Sequence, residues 1–248
     1  MKKRLFNIFM ILALFTVSLN VINANVEVFS KYNTYITVNK NYTFDVHKEI
    51  FLRNIHDVGI VPGQVEFKIL GTKNSKNGKL TSYKVTNRYG DEIKSQTRET
   101  DTGSIILLDI FTPVLPGFEY KIDLKYTIEY ESSGIFFKNI QLPLMEKTKI
   151  PIQTGIVEVT LPENYHITYI DYEDDKTILE DRKVTWEISK NVPELTSLEY
   201  SYIPIKVGWT KGSLVFWLTI NLILIMILLV EIFNEVKKIK SQHGKKKK

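Results

Sequence analysis

Four histidines, His47, His56, His166 and His243, are the side chains best suited to acid–base or metal chemistry in this sequence. A zinc site needs three or four such donors brought together at short spacing. His47 lies between Val46 and Lys48 and shares a strand face with Asp45 and Glu49, which reads as a solvated face. His56 and His166 lie near turns without a second ligand at metal spacing, and no His-Glu-x-x-His pair occurs. The run DYEDD, Asp171 to Asp175, with Glu180 and Asp181 nearby, offers oxygen ligands for calcium but not the spacing of a calcium loop, so it reads as a hairpin turn. Asp109, inside SIILLDIF, is costly there unless paired, which predicts a structural partner such as a lysine, or an edge position. Cysteine is absent, which excludes a thiol nucleophile. No Gly-x-Ser-x-Gly elbow, phosphate loop or dinucleotide fingerprint is present. These residues predict no metal site, no cofactor and no enzyme. The one modification motif is Asn41-Tyr42-Thr43, which makes Asn41 a candidate glycosylation site in an exposed turn.

The elements that would hold any such residue divide into membrane segments and strands. From Leu214 to Val230 seventeen residues include only Thr219 and Asn221 as polar. Extended to Phe233 the run has twenty residues, which at about 1.5 Å each span roughly 30 Å, the thickness of a hydrocarbon core. No amphipathic period is visible, as a buried helix of a soluble protein would show. A transmembrane helix is expected over 212–233. Asn221 shares its face with Trp217, Leu218, Leu224 and Ile225. Its amide either bonds within the helix or reaches a partner helix, which makes Asn221, Trp217 and Leu224 the candidate helix contact. Lys237, Lys238, Lys240 and Lys245 to Lys248 follow, predicting a cytoplasmic tail over 234–248. At the other end Lys2, Lys3 and Arg4 precede an apolar stretch from Leu5 to Leu19 and small or polar residues up to Ala24, the pattern of a signal peptide over 1–24. Ile22 is large for its place before the cut, so an uncleaved N-terminal anchor is the alternative. The expected location is the cell membrane, single-pass, with the N-terminus outside and the C-terminus cytoplasmic; in a eukaryote this becomes the endoplasmic reticulum membrane.

The net charge of the 248-residue chain is +5, but the basic excess sits in these two ends, and the part between is slightly acidic. A nucleic-acid partner is therefore not expected. Lysine far outnumbers arginine, which suggests an AT-rich genome, such as that of an archaeon. Between the ends, FEYKIDLKYTIEY, residues 118 to 130, alternates strictly: Phe118, Tyr120, Ile122, Leu124, Tyr126, Ile128 and Tyr130 are apolar or aromatic and the odd positions polar. That period specifies a long strand with one buried and one wet face, entered by the Pro116-Gly117 turn. Asn77-Gly78 marks a further hairpin, and SIILLDIF, apolar on both faces, reads as a central strand. The fold class is mainly β: an antiparallel β-sandwich of seven or eight strands over 25–147, then a smaller membrane-proximal β-domain over 148–206 built from GIVEVTL, YHITYI, KVTWEI and SLEYSYI. The proline-bearing QLPLMEKTKIPIQ separates the two, and one continuous sandwich is the alternative.

A signal peptide, two exported β-units, one span and a lysine tail resemble archaeal single-pass surface proteins. VLPGFEYKIDLKYTIEY, together with the stretch from GIVEVTLPE to KVTWEI, also resembles the exported region of ribophorin I, a non-catalytic subunit of the oligosaccharyltransferase. In both, a Pro-Gly turn leads into a long alternating strand and a smaller β-unit follows. The longer membrane-proximal region of that family has no counterpart here, and no site residue is carried over. The expected function is a non-catalytic type I membrane protein whose β-domains bind or scaffold a partner at the membrane surface, its partners being the bilayer and other membrane or surface proteins. The resemblance implies an accessory subunit of a glycan-transferring complex as the alternative; a membrane-tethered hydrolase built from dispersed carboxylates is the second.

Overall fold

The computed structural model describes residues 26–70, 80–100, 103–130, 134–144, 148–188, 193–205 and 210–245. The signal segment 1–24 and the Asn77-Gly78 turn lie outside them. The chain forms β1 (Glu27–Val38), β2 (Thr43–Asn54), β3 (Gly63–Leu70), β4 (Leu80–Asn87), β5 (Ser95–Thr100), β6 (Gly103–Ile110), β7 (Glu119–Glu129) and β8 (Phe137–Pro143). It continues with β9 (Gly155–Thr160), β10 (His166–Ile170), β11 (Ile178–Leu179), β12 (Lys183–Glu187), β13 (Leu195–Ser201) and, among the described residues, one helix, α1 (Gly212–Lys245). The protein is mainly β, with a single C-terminal apolar helix.

Strand β7 shows why the sequence folds this way. Ile122, Leu124, Tyr126 and Ile128 are buried, each removing an apolar side chain from water for about 1.5–3 kcal/mol, while Lys125 on the other face is exposed. Lys121 and Asp123 are half-buried rather than fully exposed, because ion pairs hold them against the sheet. Phe118 departs from the expected alternation: it is 65% exposed, since it precedes the strand and belongs to the loop. SIILLDIF, by contrast, supplies the central strand of a three-stranded sheet, β3-β6-β5, as its two apolar faces require.

The largest sheet has the order β11-β12-β9-β1-β2-β7-β4, and a third contains β10-β13-β8. All its pairings are antiparallel except one: β9 runs parallel to β1, from Tyr32↔Gly155 to Thr37↔Thr160. The expected division at 147/148 therefore falls inside one sheet. The core is likewise shared: Phe29, Phe67, Leu124, Ile140, Trp186 and Leu198 belong to one buried cluster drawn from all three sheets. Residues 148–206 complete a structure that 25–147 begins, and the prolines that read as a boundary lie at its strand ends, with Pro143 closing β8 and Pro151 accepting a hydrogen bond from the Phe29 N–H at 2.8 Å.

Helix α1 contains an apolar segment, Gly212–Lys238, long enough to cross a membrane. It extends the expected 212–233, and the helix continues into the lysine-bearing tail as far as Lys245. Its first turn packs on the β10-β13-β8 sheet, beside the β1–β2 turn of the large sheet. There Phe137 packs on Phe216 with ring centroids 5.5 Å apart, and the Lys138 amine donates to the Tyr42 hydroxyl in the β1–β2 turn at 2.9 Å. Strand β2 runs from that turn to Asn54 over twelve residues. At about 3.3 Å per residue, this puts the far end of the sheet roughly 36 Å from the helix-bearing end.

Candidate functional site

The end of the sheet remote from α1 is built around Asn54. The side chain is fully buried, and its amide donates to the carbonyls of Val58 and Val114, both at 2.8 Å. The side-chain oxygen accepts the His56 N–H at 2.8 Å. Its backbone binds the second loop as well, accepting from Gly117 N at 3.0 Å and donating to Phe118 O at 3.2 Å. The Pro116-Gly117 turn fits because Gly117 takes φ = 75° and Phe118 N donates to Leu115 O at 3.0 Å, the geometry that favours glycine at the third turn position. Residues 55–62 and 111–118 are thus cross-braced, with Ile60 and Val114 bridging them. On this rigid frame stand Ile55, Val58, Val61, Phe111, Leu115 and Phe118, each between 50% and 66% exposed. A monomer seldom leaves so many large apolar groups together in water without a use for them. The isolated residues carried no sequence signal. Phe118 even read as core, and only the Pro-Gly turn before it marked the loop.

The other end holds a second residue that the sequence reading missed. Glu199, on β13, is only 2% exposed. Its carboxylate accepts from the Thr168 hydroxyl at 2.8 Å, from the Ser213 backbone N–H at 3.1 Å, and from the Ser213 hydroxyl. The first turn of α1 carries no acidic residue of its own. A helix start leaves N–H groups without intrahelical acceptors and favours a negative charge. Glu199 supplies both needs from the sheet, so the buried carboxylate ties the helix to the β-structure. Gly212 is part of the fit: a Cβ there would lie 2.6 Å from Ile205 O and 2.9 Å from the Thr168 Cβ. The signal that could have found Glu199 was weak, an acid in SLEYSYI close before an uncapped apolar helix.

Between the ends, the outer face of the large sheet carries a chain of paired charges. The Lys121 amine lies 2.9 Å from Glu49 and 3.1 Å from Asp123, Lys31 lies 3.5 Å from Glu49, and His47 lies 2.8 Å from Asp123. The bond from Lys121 holds the Glu49 carboxyl below its usual range. Burial alone would raise Asp123, but the bonds from His47 and Lys121 outweigh it and hold that carboxyl low as well. The remaining sequence candidates are scattered. His56 pairs with Asp57 and His166 with Asp181, at 2.8 and 2.7 Å. Among the described residues no three His, Cys, Asp or Glu are placed to hold a metal ion. Asp171 to Asp175 follow β10, where Asp174 accepts from Thr177 Oγ1 at 2.7 Å, chiefly for which its carboxyl is held low. Asp109 accepts from Gln64 at 3.1 Å, with Lys94 at 3.7 Å. Asn41 is exposed in the β1–β2 turn, where its side chain accepts the Thr43 hydroxyl at 2.8 Å. In α1 the Asn221 amide donates to Trp217 O at 2.8 Å, within the helix, and Trp217 and Leu224 face outward.

No family model matches the chain. A protein of the archaeon Methanocaldococcus jannaschii, itself uncharacterized, is 27% identical over 128 residues, which cover 51% of this chain and 86% of that one. Among solved structures, a candidate nutrient binding protein from Legionella pneumophila aligns with a TM-score of 0.50 at 13% identity, over 71% of this chain and 67% of its own. An M1 zinc metallopeptidase from Deinococcus radiodurans (TM-score 0.38, 12% identity) and the leukotriene A4 hydrolase of Saccharomyces cerevisiae (0.44, 9%) align over 71% of this chain and 42% and 30% of theirs. The expectation that this chain is not an enzyme is corrected by these neighbours. It rested only on missing linear motifs, which do not exclude an active site assembled by the fold, and hydrolases stand among the aligned structures, so that exclusion is withdrawn. The likeness to the Legionella protein is one of fold, and the activities remain those of the proteins named.

Proposed function

We propose that the chain is a single-pass membrane protein whose β-structure, outside the cell membrane, binds a protein partner through its distal loops. The observation that carries this reading is the group of six exposed apolar side chains fixed on two loops that Asn54 braces. The patch lies about 36 Å of strand from the β1–β2 turn, at the end of the sheet opposite the one nearest the helix. Its partner is therefore another protein with an apolar face of its own. Aromatic and aliphatic side chains already held in their bound geometry lose little conformational freedom on binding, which favours affinity. The lysines after the helix support an inside C-terminus. The Legionella protein of similar fold, a candidate nutrient binder, is in keeping with a binding role for this fold.

The test is purification in mild detergent of the wild type and a Leu115→Asp/Phe118→Asp variant. Both positions are exposed, so the variant is expected to keep its β-sheet circular dichroism while losing the partner that wild type retains at stoichiometric yield. A partner retained equally by both would refute the distal site. A glycan transferase as that partner would support the accessory-subunit reading.

A further inference from the structure

Segment 134–137 lies beside the first turn of α1, and its side chains are unusual for a loop: Ile135 is 82% exposed, and Phe136 is partly exposed beside it. Neither hangs on a loose chain. Gly134 takes φ = 98°, and a Cβ there would lie 1.9 Å from Phe137 O, so the turn closes too tightly for any other residue. The Ser201 hydroxyl donates to Phe136 O at 2.8 Å and accepts from Ile203 N at 3.0 Å, pinning the segment to the end of β13. The aromatic rings join it to the helix. Phe136 lies 6.1 Å from Phe216 and 6.3 Å from Tyr202, and Phe216 lies 5.5 Å from Trp217. Tyr202 and Trp217 are each about half exposed. Ile135, Phe136, Trp217 and Lys211 line a common groove of about 240 Å³.

Height decides what covers this face. Phe216 is the third residue of the apolar run that begins at Leu214, about 3 Å below its start at 1.5 Å per residue. A ring in contact with Phe216 therefore lies at the boundary between headgroups and hydrocarbon. Tyrosine and tryptophan favour that layer, where the ring is apolar and the polar tip stays wet. In a bilayer crossed by α1, Lys211, one residue before the helix, would stand at the level of lipid phosphates.

We infer that Ile135, Phe136, Tyr202 and Trp217 form a collar that inserts into the lipid interface around the start of α1. The occupant is the bilayer itself, because the patch is continuous with the helix surface that the bilayer covers. Together with the Glu199 clamp, the collar gives the β-structure two attachments to the membrane, one through the helix axis and one beside it. It thereby fixes the posture of the sheet and keeps the distal loops pointing away from lipid.

The inference rests on α1 crossing a bilayer, and the experiment separates the two claims. The chain has no cysteine, so single nitroxide labels can be placed cleanly in the full-length protein. Ile135→Cys, Ile223→Cys and Tyr89→Cys would be labelled and reconstituted in phosphatidylcholine vesicles. Each label's collisions with oxygen, which concentrates in lipid, are then compared with those with a water-soluble nickel chelate. Ile223 reports the middle of the helix, and Tyr89, 79% exposed on the turn after β4, reports water. The expected oxygen-to-nickel ratio falls in the order Ile223, Ile135, Tyr89, with position 135 well above position 89. A ratio at 135 equal to that at 89, with 223 in lipid, overturns the collar alone. Low access to both reagents at 135 marks a protein contact and overturns it too. A label at 223 with the ratio of water overturns the membrane span and the collar with it.

Discussion

At the distal end, a buried asparagine holds two loops together and leaves six apolar side chains in the open. At the proximal end, a buried glutamate holds a helix to a strand, and four apolar or aromatic side chains stand open beside it. Both ends use one hidden polar group with every major hydrogen bond satisfied to fix a surface that water alone would not favour. They differ in charge. Asn54 satisfies neutral carbonyls and an N–H, whereas Glu199 meets a helix N-terminus, where a full negative charge is favoured. They differ also in what lies next to the apolar groups: only further loop at the distal end, an apolar helix at the proximal end. Exposed hydrophobic residues of the same kind thus point to different partners, and the roughly 36 Å between them decides which.

The largest effect is expected where both ends depend on the shared core. Leu124→Ala removes a fully buried side chain of β7 and should cost about 2–5 kcal/mol in chemical denaturation, with both ends losing order in one transition. Separate transitions would mean that the ends are independent units. Lys125→Ala on the opposite face should cost about 0.5 kcal/mol or less.

Asn54→Ala should cost about 2–4 kcal/mol, because it removes three hydrogen bonds at once: those to Val58 O and from His56 N, and one of the two held by the buried Val114 O, which keeps the bond from Ile60 N. Hydrogen exchange should rise in residues 55–62 and 111–118 and stay unchanged near the helix. Glu199→Ala should cost less, about 1–3 kcal/mol, and raise exchange at Thr168 and Ser213 while sparing the distal loops. Spread of either effect to the opposite end would erase the distinction drawn between them.

A smaller effect is expected from the charge ladder midway. Folded-state carboxyls of Glu49 and Asp123 lie below their ordinary values of 4.5 and 3.8. Their contribution is therefore complete above that range and lost as pH falls through it toward the folded values. Lys121→Met should cost about 1 kcal/mol or less at neutral pH and flatten the stability profile below about pH 4.5. Glu27 has the opposite sign. Burial raises its carboxyl above 4.5, so it opposes folding increasingly as pH rises through that range, and Glu27→Gln should remove that slope. The smallest changes in stability, within about 0.5 kcal/mol, are expected from Phe118→Ser and Ile135→Ser, both at exposed positions. Denaturation midpoints close to wild type would show that these side chains are not needed for folding.

How much of this was legible in the sequence follows from how far each signal travels along the chain. The alternation of β7 is local and periodic, so Ile122, Leu124 and Tyr126 read correctly as core. The parallel pairing of β1 with β9 joins residues more than a hundred apart, and nothing near either strand announces it, so one sheet read as two domains. Lys48 occupies a core position between Val46 and Ile50 on β2 and is buried with its amine 3.2 Å from the Tyr32 hydroxyl. The alternation marked the position, but only the folded structure supplies the partner. Asn54 and Glu199 were missed because a polar residue at a strand end or on a polar strand face reads as solvated until another element covers it. The candidate helix contact at Asn221 rested on an amide in hydrocarbon, and the Trp217 carbonyl now accepts one of its bonds.

The contrast between the ends is tested most directly by placing the same photoreactive amino acid at Leu115 or Ile135 of the full-length chain in intact cells. At Leu115 the expected product is one discrete protein adduct, abolished by adding Phe118→Asp. At Ile135 the expected product is lipid-linked chain without a protein adduct. Protein adducts of equal yield at both positions, or lipid at Leu115, would contradict the assignment of one end to a partner and the other to the membrane.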